Sequence, residues 1–238
     1  MVASIPHQLT SLTIVLPFFN DAGTVTKMLD DAYLIGPQVT SQLPVIAIHG
    51  GPSSDDTYVK ILSAKSTHPS LQILDESRSG RGYAVIATGL KMAQSEWVFY
   101  TDGDAQYDLK DLLKLVKAQS ETGAEVVNGY KSHRQDSYMR VLAGGLYARL
   151  VRYILRLPIR DPHCDFRLIK TSLLADWHPR ATGAAIIQDL ITHLKRQTQR
   201  WAEVEVSHHE RVYGTSNYTI LQLARETLSG MLLFWRYR

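Results

Sequence analysis

Two carboxylates stand one residue apart directly after an apolar segment near the middle of the chain. They are Asp102 and Asp104, and the segment before them, residues 97–100, reads Trp-Val-Phe-Tyr. In open α/β sheets ligands bind beyond the carboxyl ends of strands, and alternate residues of an extended turn share a face. Two carboxylates at this spacing suit Mg²⁺ or Mn²⁺ bridging a diphosphate, and Gln106 adds a neutral oxygen in the same register. An isolated Asp-Gly-Asp is more often a solvated turn, so this prediction depends on other motifs.

Two further segments contain residues suited to binding a phosphate. The first apolar segment, residues 12–16, is followed by Pro17 and then by the pair Asn20 and Asp21. A Ser-Gly-Arg-Gly stretch containing Arg81 leads into an amphipathic segment; its glycines permit a close backbone approach, and the arginine can meet a phosphate near a helix N-terminus. Taken alone, this glycine pattern is a weak signal for dinucleotide binding, because it does not directly follow the first strand.

The order of apolar and amphipathic segments predicts an α/β fold of βα units around a mostly parallel central sheet. We predict strands at residues 12–16, 45–48, 71–74, 97–100, 125–130, 165–170 and 202–206. We predict helices at residues 24–33, 55–66, 82–93, 109–122, 138–157, 189–197 and 219–236, with Asp108 as a candidate N-cap. Because no repeat, low-complexity linker or shift in composition divides the chain, we expect one domain over residues 1–238.

Composition limits the kinds of partner and compartment. The 26 basic residues against 23 acidic residues give a net charge of only +3, so we expect no nucleic-acid partner. The single cysteine, Cys164, excludes an intramolecular disulfide and indicates a reducing compartment. We see neither a secretory signal nor an apolar run of about 20 residues that would cross a membrane. We therefore expect a cytoplasmic protein that is soluble or lies on a membrane surface.

Four separated motifs, taken in order, resemble the family 2 inverting glycosyltransferases and, within them, the dolichol-phosphate mannose synthase branch. Asp-Gly-Asp-Ala-Gln at residues 102–106 resembles the family's Asp-Ala-Asp-x-Gln metal motif. Residues 161–167 resemble its Asp-x-x-x-Gly-Phe-Arg segment, and residues 211–216 its Arg-x-x-Gly-x-Ser loop, which reaches over the donor diphosphate. Asp189 stands where that branch carries a glutamate. The resemblance implies the GT-A fold, a Rossmann-like nucleotide-diphospho-sugar transferase architecture, and hexosyltransferase activity.

The resemblance also implies roles for individual residues. The metal, Mg²⁺ or Mn²⁺, is expected on Asp102, Asp104 and Gln106. The nucleotide-sugar donor, a GDP- or UDP-sugar, is expected to bind at Pro17, Asn20, Asp21, Arg81, Asp102, Gly103, Asp104, Arg211 and Ser216. The catalytic candidates are Asp104, Arg211 and Asp189, the last as a general base if the acceptor is a hydroxyl; a plain helix N-cap is an equally good interpretation of Asp189. The acceptor phosphate is expected at Lys131, Arg140 and Arg149.

Three positions depart from the family pattern. After its second strand the family usually has two acids, the earlier of which reads the nucleobase, whereas this chain has His49-Gly50-Gly51. Lys131 replaces a common arginine, which keeps the charge and loses the bidentate fork. Asp165 replaces the usual glycine of its motif. The nucleobase of the donor therefore stays open.

The helix predicted at residues 138–157 and the C-terminal stretch both combine apolar residues with arginine and tyrosine. Arg149, Arg152 and Arg156 share one face of the first helix, which suits an anionic membrane surface as well as a solvated cationic face. We therefore expect sugar transfer to a polyprenyl phosphate by a protein peripheral to the membrane. Two alternatives stay open: a soluble family 2 transferase with a saccharide or small-molecule hydroxyl acceptor, and an inactive donor-binding subunit.

Overall fold

A computed structural model describes residues 8–131, Tyr153 and residues 156–214. These residues form one seven-stranded sheet with the strand order β3-β2-β1-β4-β6-β5-β7. The strands are β1 Leu12–Phe18, β2 Val45–His49, β3 Gln72–Asp75, β4 Trp97–Thr101, β5 Val126–Lys131, β6 Phe166–Lys170 and β7 Trp201–Val206. Every strand predicted from the sequence is present within one or two residues of its predicted bounds.

The sheet is mostly parallel, as predicted, with one reversed strand. β1 pairs in parallel with β2 and β4, β2 with β3, and β5 with β7. β6 runs antiparallel to both of its neighbours, β4 and β5. The reversal sets the start of β6 beside the end of β4, where Phe166 pairs with Thr101. Asp165 and Asp102, one residue outside this pair on each strand, therefore reach the same edge of the sheet.

Five α-helices lie in the described part of the chain. They are α1 Val25–Val39, α2 Thr57–Thr67, α3 Ile86–Met92, α4 Leu112–Thr122 and α5 Ile186–Gln197. The helices predicted at residues 82–93 and 109–122 each begin with a 3₁₀ turn, Gly82–Val85 and Leu109–Asp111. The Asp108 side chain accepts a hydrogen bond from the Lys110 amide at 3.0 Å, which confirms its predicted capping role at the second turn. The helix predicted at residues 219–236 and most of the one predicted at residues 138–157 fall outside the described residues. Tyr153 is helical, but Arg156, with a φ angle of 49°, and Leu157 are not, so the predicted helix end at residue 157 is wrong.

The core lies on both faces of the sheet, because successive strand residues point to opposite sides. In β1, Leu12, Ile14 and Leu16 pack on the face covered by α1 and α4, while Val15 packs on the opposite face with α3 and α5. All seven residues of β1 are buried. Within the described residues, no helix has the length and apolar character needed to cross a membrane. The extent of a single domain over residues 1–238 stays a prediction.

Candidate active site

The loops after β1 and β4 meet at the carboxyl edge of the sheet, and a glycine permits the contact. A Cβ atom at Gly103 would lie 2.4 Å from the carbonyl oxygen of Pro17 and 2.4 Å from the ring of Phe18. The carbonyl of Gly103 also accepts a hydrogen bond from the Thr24 hydroxyl at 2.7 Å, which ties this loop to the start of α1. Glycine is therefore the residue that lets the Asp-Gly-Asp turn pack this closely against β1.

Two loop residues beside the carboxylates adopt the left-handed backbone conformation that favours glycine. Asn20, which precedes Asp21, has a φ angle of 56°, and Ala105, which follows Asp104, has a φ angle of 59°. Non-glycine residues adopt this region rarely, and such residues cluster at functional sites. The Asn20 side chain helps to hold its loop, because its Oδ1 accepts a hydrogen bond from the Ser54 amide at 2.7 Å.

Arg211 joins the carboxylates of the two loops. Its Nη2 donates a hydrogen bond to Oδ2 of Asp104, and its Nη1 lies 3.6 Å from Oδ1 of Asp21. Both carboxylates are held by backbone amides as well: the Gln106 amide donates to Asp104 at 3.0 Å, and the Phe19 amide donates to Asp21 at 2.9 Å. Three segments that are far apart in sequence therefore converge on one ion-pair cluster.

A second group of acids, Asp102 and Asp165, lies near this cluster. Oδ1 of Asp102 accepts a hydrogen bond from the Tyr83 hydroxyl at 2.5 Å, and Asp165 accepts one from the Tyr100 hydroxyl at 3.4 Å. Burial raises the pKa of Asp102 well above its ordinary value, and the nearby charges of Asp165 and Asp104 raise it further. Burial also raises the pKa of Asp165 to about 6, although Arg167 opposes this shift.

Asp21 is also buried at an unfavourable place for a negative charge. Burial raises its pKa from the ordinary value of 3.8 to about 6, and the charge of Asp104 adds to the increase. The hydrogen bond from the Phe19 amide and the charge of Arg211 lower the pKa but do not compensate. Several carboxylates thus share a buried edge of the sheet, an arrangement that a bound cation stabilises.

The sequence profile of glycosyl transferase family 2 matches residues 13–177, which is more than half of the chain. This chain belongs to glycosyl transferase family 2. The resemblance found in the sequence motifs is therefore confirmed at the level of the family.

Similar curated proteins are named undecaprenyl-phosphate 4-deoxy-4-formamido-L-arabinose transferases. The protein from Serratia proteamaculans is 25% identical over 218 residues, covering 89% of this chain and 64% of that protein. The protein from Proteus mirabilis is 25% identical over 224 residues, covering 91% of this chain and 65% of that protein. The chain therefore spans slightly less than two thirds of the length of these relatives.

Solved structures of glucosyl-3-phosphoglycerate synthase from Mycobacterium tuberculosis have a similar fold. The complex with Mn²⁺, UDP and glucosyl-3-phosphoglycerate aligns with a TM-score of 0.65 at 19% identity, covering 95% of this chain and 80% of that chain. The complex with Mg²⁺ and UDP aligns with the same TM-score at 18% identity, covering 94% and 79%. This chain has the GT-A fold, as the family motifs imply.

The segment that resembles the family's metal motif, residues 102–106, supplies two carboxylates. The Gln106 side-chain amide donates to the His209 main-chain carbonyl at 3.0 Å. The Gln106 main-chain carbonyl accepts from the His209 backbone amide at 2.7 Å. Among the described residues, no group of three or more His, Cys, Asp or Glu side chains is arranged to hold a metal ion. Asp102 and Asp104 offer hard oxygen atoms of the kind that Mg²⁺ and Mn²⁺ take together with substrate phosphates, and metal binding by these residues and by Gln106 stays a prediction.

Two of the residues predicted for this family 2 site have structural contacts elsewhere. The Arg81 guanidinium donates to the Ala84 carbonyl at 3.2 Å and to the Thr88 hydroxyl at 2.5 Å, so it is held against its own helical segment. Asp189 is buried and accepts hydrogen bonds from the amides of Arg180 at 2.6 Å and Ala181 at 3.2 Å. Donor binding by Arg81 stays a prediction, as does a general-base role for Asp189.

The interpretation of Asp189 as a helix N-cap is wrong. Helix α5 begins at Ile186 with Ala185 in the capping position, and Asp189 lies inside its first turn. The helix starts three residues earlier than predicted because the apolar residues before Asp189, Ile186 and Ile187, are already buried on the core side.

Lys131 lies at the end of β5 on the same edge of the sheet as the acids. Its ammonium group donates to the His163 carbonyl at 3.3 Å and lies 5.6 Å from the centre of the Tyr107 ring. Its positive charge lowers the pKa of Asp102 and of Asp165, against the effect of burial. The other predicted acceptor residues, Arg140 and Arg149, and the donor residue Ser216 fall outside the described residues.

Where the family usually has two acids after its second strand, this chain has His49-Gly50-Gly51, and the histidine is held by hydrogen bonds. His49 is buried at the end of β2, where its Nδ1 lies 3.2 Å from Oδ1 of Asp75 on the adjacent strand and its Nε2 lies 3.1 Å from the Ser53 hydroxyl. Sequence reasoning also missed Tyr83 and Tyr213 as neighbours of the site. Tyr213 lies within the motif at residues 211–216, but its position there does not indicate a contact, and both tyrosines reach the site through tertiary contacts.

Proposed function

We propose that this chain transfers a sugar from a UDP- or GDP-sugar to a polyprenyl phosphate, with a divalent cation, at the cytoplasmic surface of a membrane. The observation that carries the proposal is the convergence of Asp102, Asp104 and Arg211 at the carboxyl edge of a GT-A sheet. The names of the curated relatives, which transfer a sugar to undecaprenyl phosphate, support the choice of acceptor.

The carboxylates of Asp102 and Asp104 would hold Mg²⁺ or Mn²⁺. Burial raises the pKa of Asp102, and the charges of Asp165 and Asp104 raise it further, so a cation is favourable at this site. The bound ion would neutralise charge on the donor diphosphate as the nucleotide departs. Tyr83 orients Asp102 through its hydroxyl, and the Gln106 amide orients Asp104.

Arg211 would stabilise the leaving nucleoside diphosphate. Its guanidinium is partly exposed, and its two terminal nitrogens lie against Asp104 and Asp21. A guanidinium presents paired donors that match phosphate oxygens, so the same nitrogens can serve the diphosphate when a donor is bound. Charge stabilisation at a leaving group accelerates transfer because the interaction strengthens as the charge develops.

An acceptor phosphate requires little help from a base. It is ionised near neutral pH and can attack the anomeric carbon directly, so the structural contacts of Asp189 do not conflict with this chemistry. Lys131, whose charge reaches the carboxylate cluster, would attract the acceptor phosphate, together with Arg140 and Arg149.

The proposal is tested in two steps. Thermal unfolding with UDP, GDP, UMP and GMP, each with and without Mn²⁺, should show a metal-dependent stabilisation by one nucleoside diphosphate. Transfer from labelled sugars of that nucleotide is then measured with polyprenyl phosphate in vesicles and with saccharide acceptors. Transfer only to saccharides supports the soluble-transferase alternative, and donor binding without transfer to either acceptor supports an inactive subunit.

The membrane location has its own test. Removing three positive charges with Arg149→Gln, Arg152→Gln and Arg156→Gln should reduce binding to anionic vesicles by roughly two orders of magnitude, from about 1 kcal/mol per charge. The measurement is co-sedimentation of wild type and variant at low and high salt, since salt screens the attraction. Equal sedimentation of the two proteins would contradict the surface assignment.

A further inference from the structure

We propose that Tyr213 is a positioning residue that holds Arg211 over Asp21 and Asp104. It does so by fastening the segment of residues 208–214, called here the strap, to the loops after β1 and β2. The inference rests on the proposed role of Arg211 and adds a residue through which that role is set.

The strap is anchored first where it leaves β7. His208 forms an isolated antiparallel bridge with Tyr107, and its ring lies edge-on to the Tyr107 ring with centres 5.0 Å apart. The next residue, His209, exchanges hydrogen bonds with Gln106 in both directions, at 2.7 and 3.0 Å. This end of the strap is therefore fixed to the loop that contains Asp104.

The second anchor is the Tyr213 side chain. Its hydroxyl donates to Oδ2 of Asp55 at 3.3 Å, and its ring covers Gly23 at the start of α1. A Cβ atom at Gly23 would lie 2.3–2.9 Å from carbons of that ring, so the ring occupies the space a side chain would need. The contact thus depends on a glycine at position 23.

Asp55 is a well-held acceptor for this anchor. It receives hydrogen bonds from the Ala22 amide at 3.1 Å, from the Thr57 amide at 3.1 Å and from the Thr57 hydroxyl at 2.5 Å. Burial alone would raise the pKa of Asp55, but these hydrogen bonds and the one from Tyr213 lower it below its ordinary value. Tyr213 therefore meets an ionised carboxylate that is already tied to the β1 loop and to α2.

Arg211 lies between the two anchors. Val212 beside it is 88% exposed, so its side chain does little to fix the strap, whereas Tyr213 is only 37% exposed. Ordering a long arginine side chain costs conformational entropy. When the backbone on both sides of Arg211 is already fixed, the entropy cost of donor binding is smaller. The anchored tyrosine thus prepares Arg211 for the diphosphate.

The test uses two variants that break the same contact from opposite sides. Gly23 has no positive φ angle, so Gly23→Ala is acceptable to the backbone and only displaces the Tyr213 ring. Tyr213→Ala removes the ring itself. Each variant should weaken binding of the nucleoside diphosphate by about tenfold, while binding of the monophosphate stays unchanged. Val212→Ala, on the exposed neighbour, is the matched control and should change neither.

Two double variants separate positioning from general damage to the fold. Gly23→Ala should have no further effect in a Tyr213→Ala background, because its methyl group then meets no ring. Tyr213→Ala should likewise add little in an Arg211→Ala background, because the group it positions is absent. Additive losses in either pair would overturn the proposal.

Hydrogen exchange of residues 207–214 gives a readout that is independent of the proposed function. Gly23→Ala and Tyr213→Ala should both increase exchange in this segment, because local opening is favoured when its anchor is lost. Unchanged exchange would show that Tyr213 is not an anchor. If Arg211→Ala itself leaves diphosphate binding unchanged, the proposed function fails; if only Tyr213→Ala does so, this inference fails.

Discussion

The buried carboxylate of Asp21 makes a direct prediction about stability and pH. Its side chain is only 6% exposed, and burial raises its pKa to about 6 from the ordinary 3.8. Asp21→Asn removes the charge and keeps the shape, and the amide oxygen of Asn can still accept the Phe19 hydrogen bond. We expect this variant to be more stable than wild type at neutral pH.

The sign follows from proton linkage. Between pH 3.8 and 6 the folded protein binds more protons at Asp21 than the unfolded chain does, so the free energy of unfolding falls as pH rises through this window. A raised pKa of about two units corresponds to a penalty of roughly 3 kcal/mol above pH 6, and about 1 kcal/mol of it is already present at pH 4.5. The advantage of the variant should therefore grow by roughly 2 kcal/mol between pH 4.5 and 7.5.

The assay is urea unfolding of wild type and Asp21→Asn across this pH range, without metal or nucleotide. At pH 7.5 the full gain of roughly 3 kcal/mol corresponds to a melting temperature roughly 6–12 °C higher for a chain of this length. Asp176→Asn, which changes an exposed carboxylate, is the control and should show no such pH-dependent gain. A variant that is less stable than wild type at pH 7.5, or a difference independent of pH, would refute the reasoning.

Three substitutions test the site itself. Asp104→Ala should abolish turnover and metal-dependent nucleotide binding while leaving the fold intact; full activity in chelator-treated buffer would contradict the metal assignment. Arg211→Ala should lower the transfer rate on the order of 10²-fold, as for loss of one charge-stabilising donor. Binding of the free nucleoside should barely change; a collapse of nucleoside affinity would show instead that Arg211 reads the base. Gly103→Ala should lower the free energy of unfolding by about 1–3 kcal/mol, because the new Cβ meets the Pro17 carbonyl at 2.4 Å. Thermal unfolding measures this loss, and unchanged stability would show that the two loops separate at little cost.

The positions of the strands and the residue types of the site were readable in the sequence. A strand buried on both faces is a short apolar run, as residues 12–16 and 97–100 are, and its identity needs no knowledge of its neighbours. The Asp-Gly-Asp turn could be placed at the carboxyl edge for the same reason, since it directly follows such a run. Helix ends were less predictable, because burial of Ile186 and Ile187 extends α5 ahead of Asp189.

The partners of the site residues were decided only by the tertiary structure. Arg211 and Asp104 are 107 positions apart, and their pairing depends on the path of the chain after β7. The reversed strand β6 sets Phe166 beside Thr101 and thereby brings Asp165 near Asp102, where its charge adds to the increase in the pKa of Asp102 that burial causes. A hydrophobic pattern specifies which residues are buried, but strand order and direction follow from packing the whole chain. The sequence therefore determined which acids and bases this protein carries, and the fold determined which of them meet.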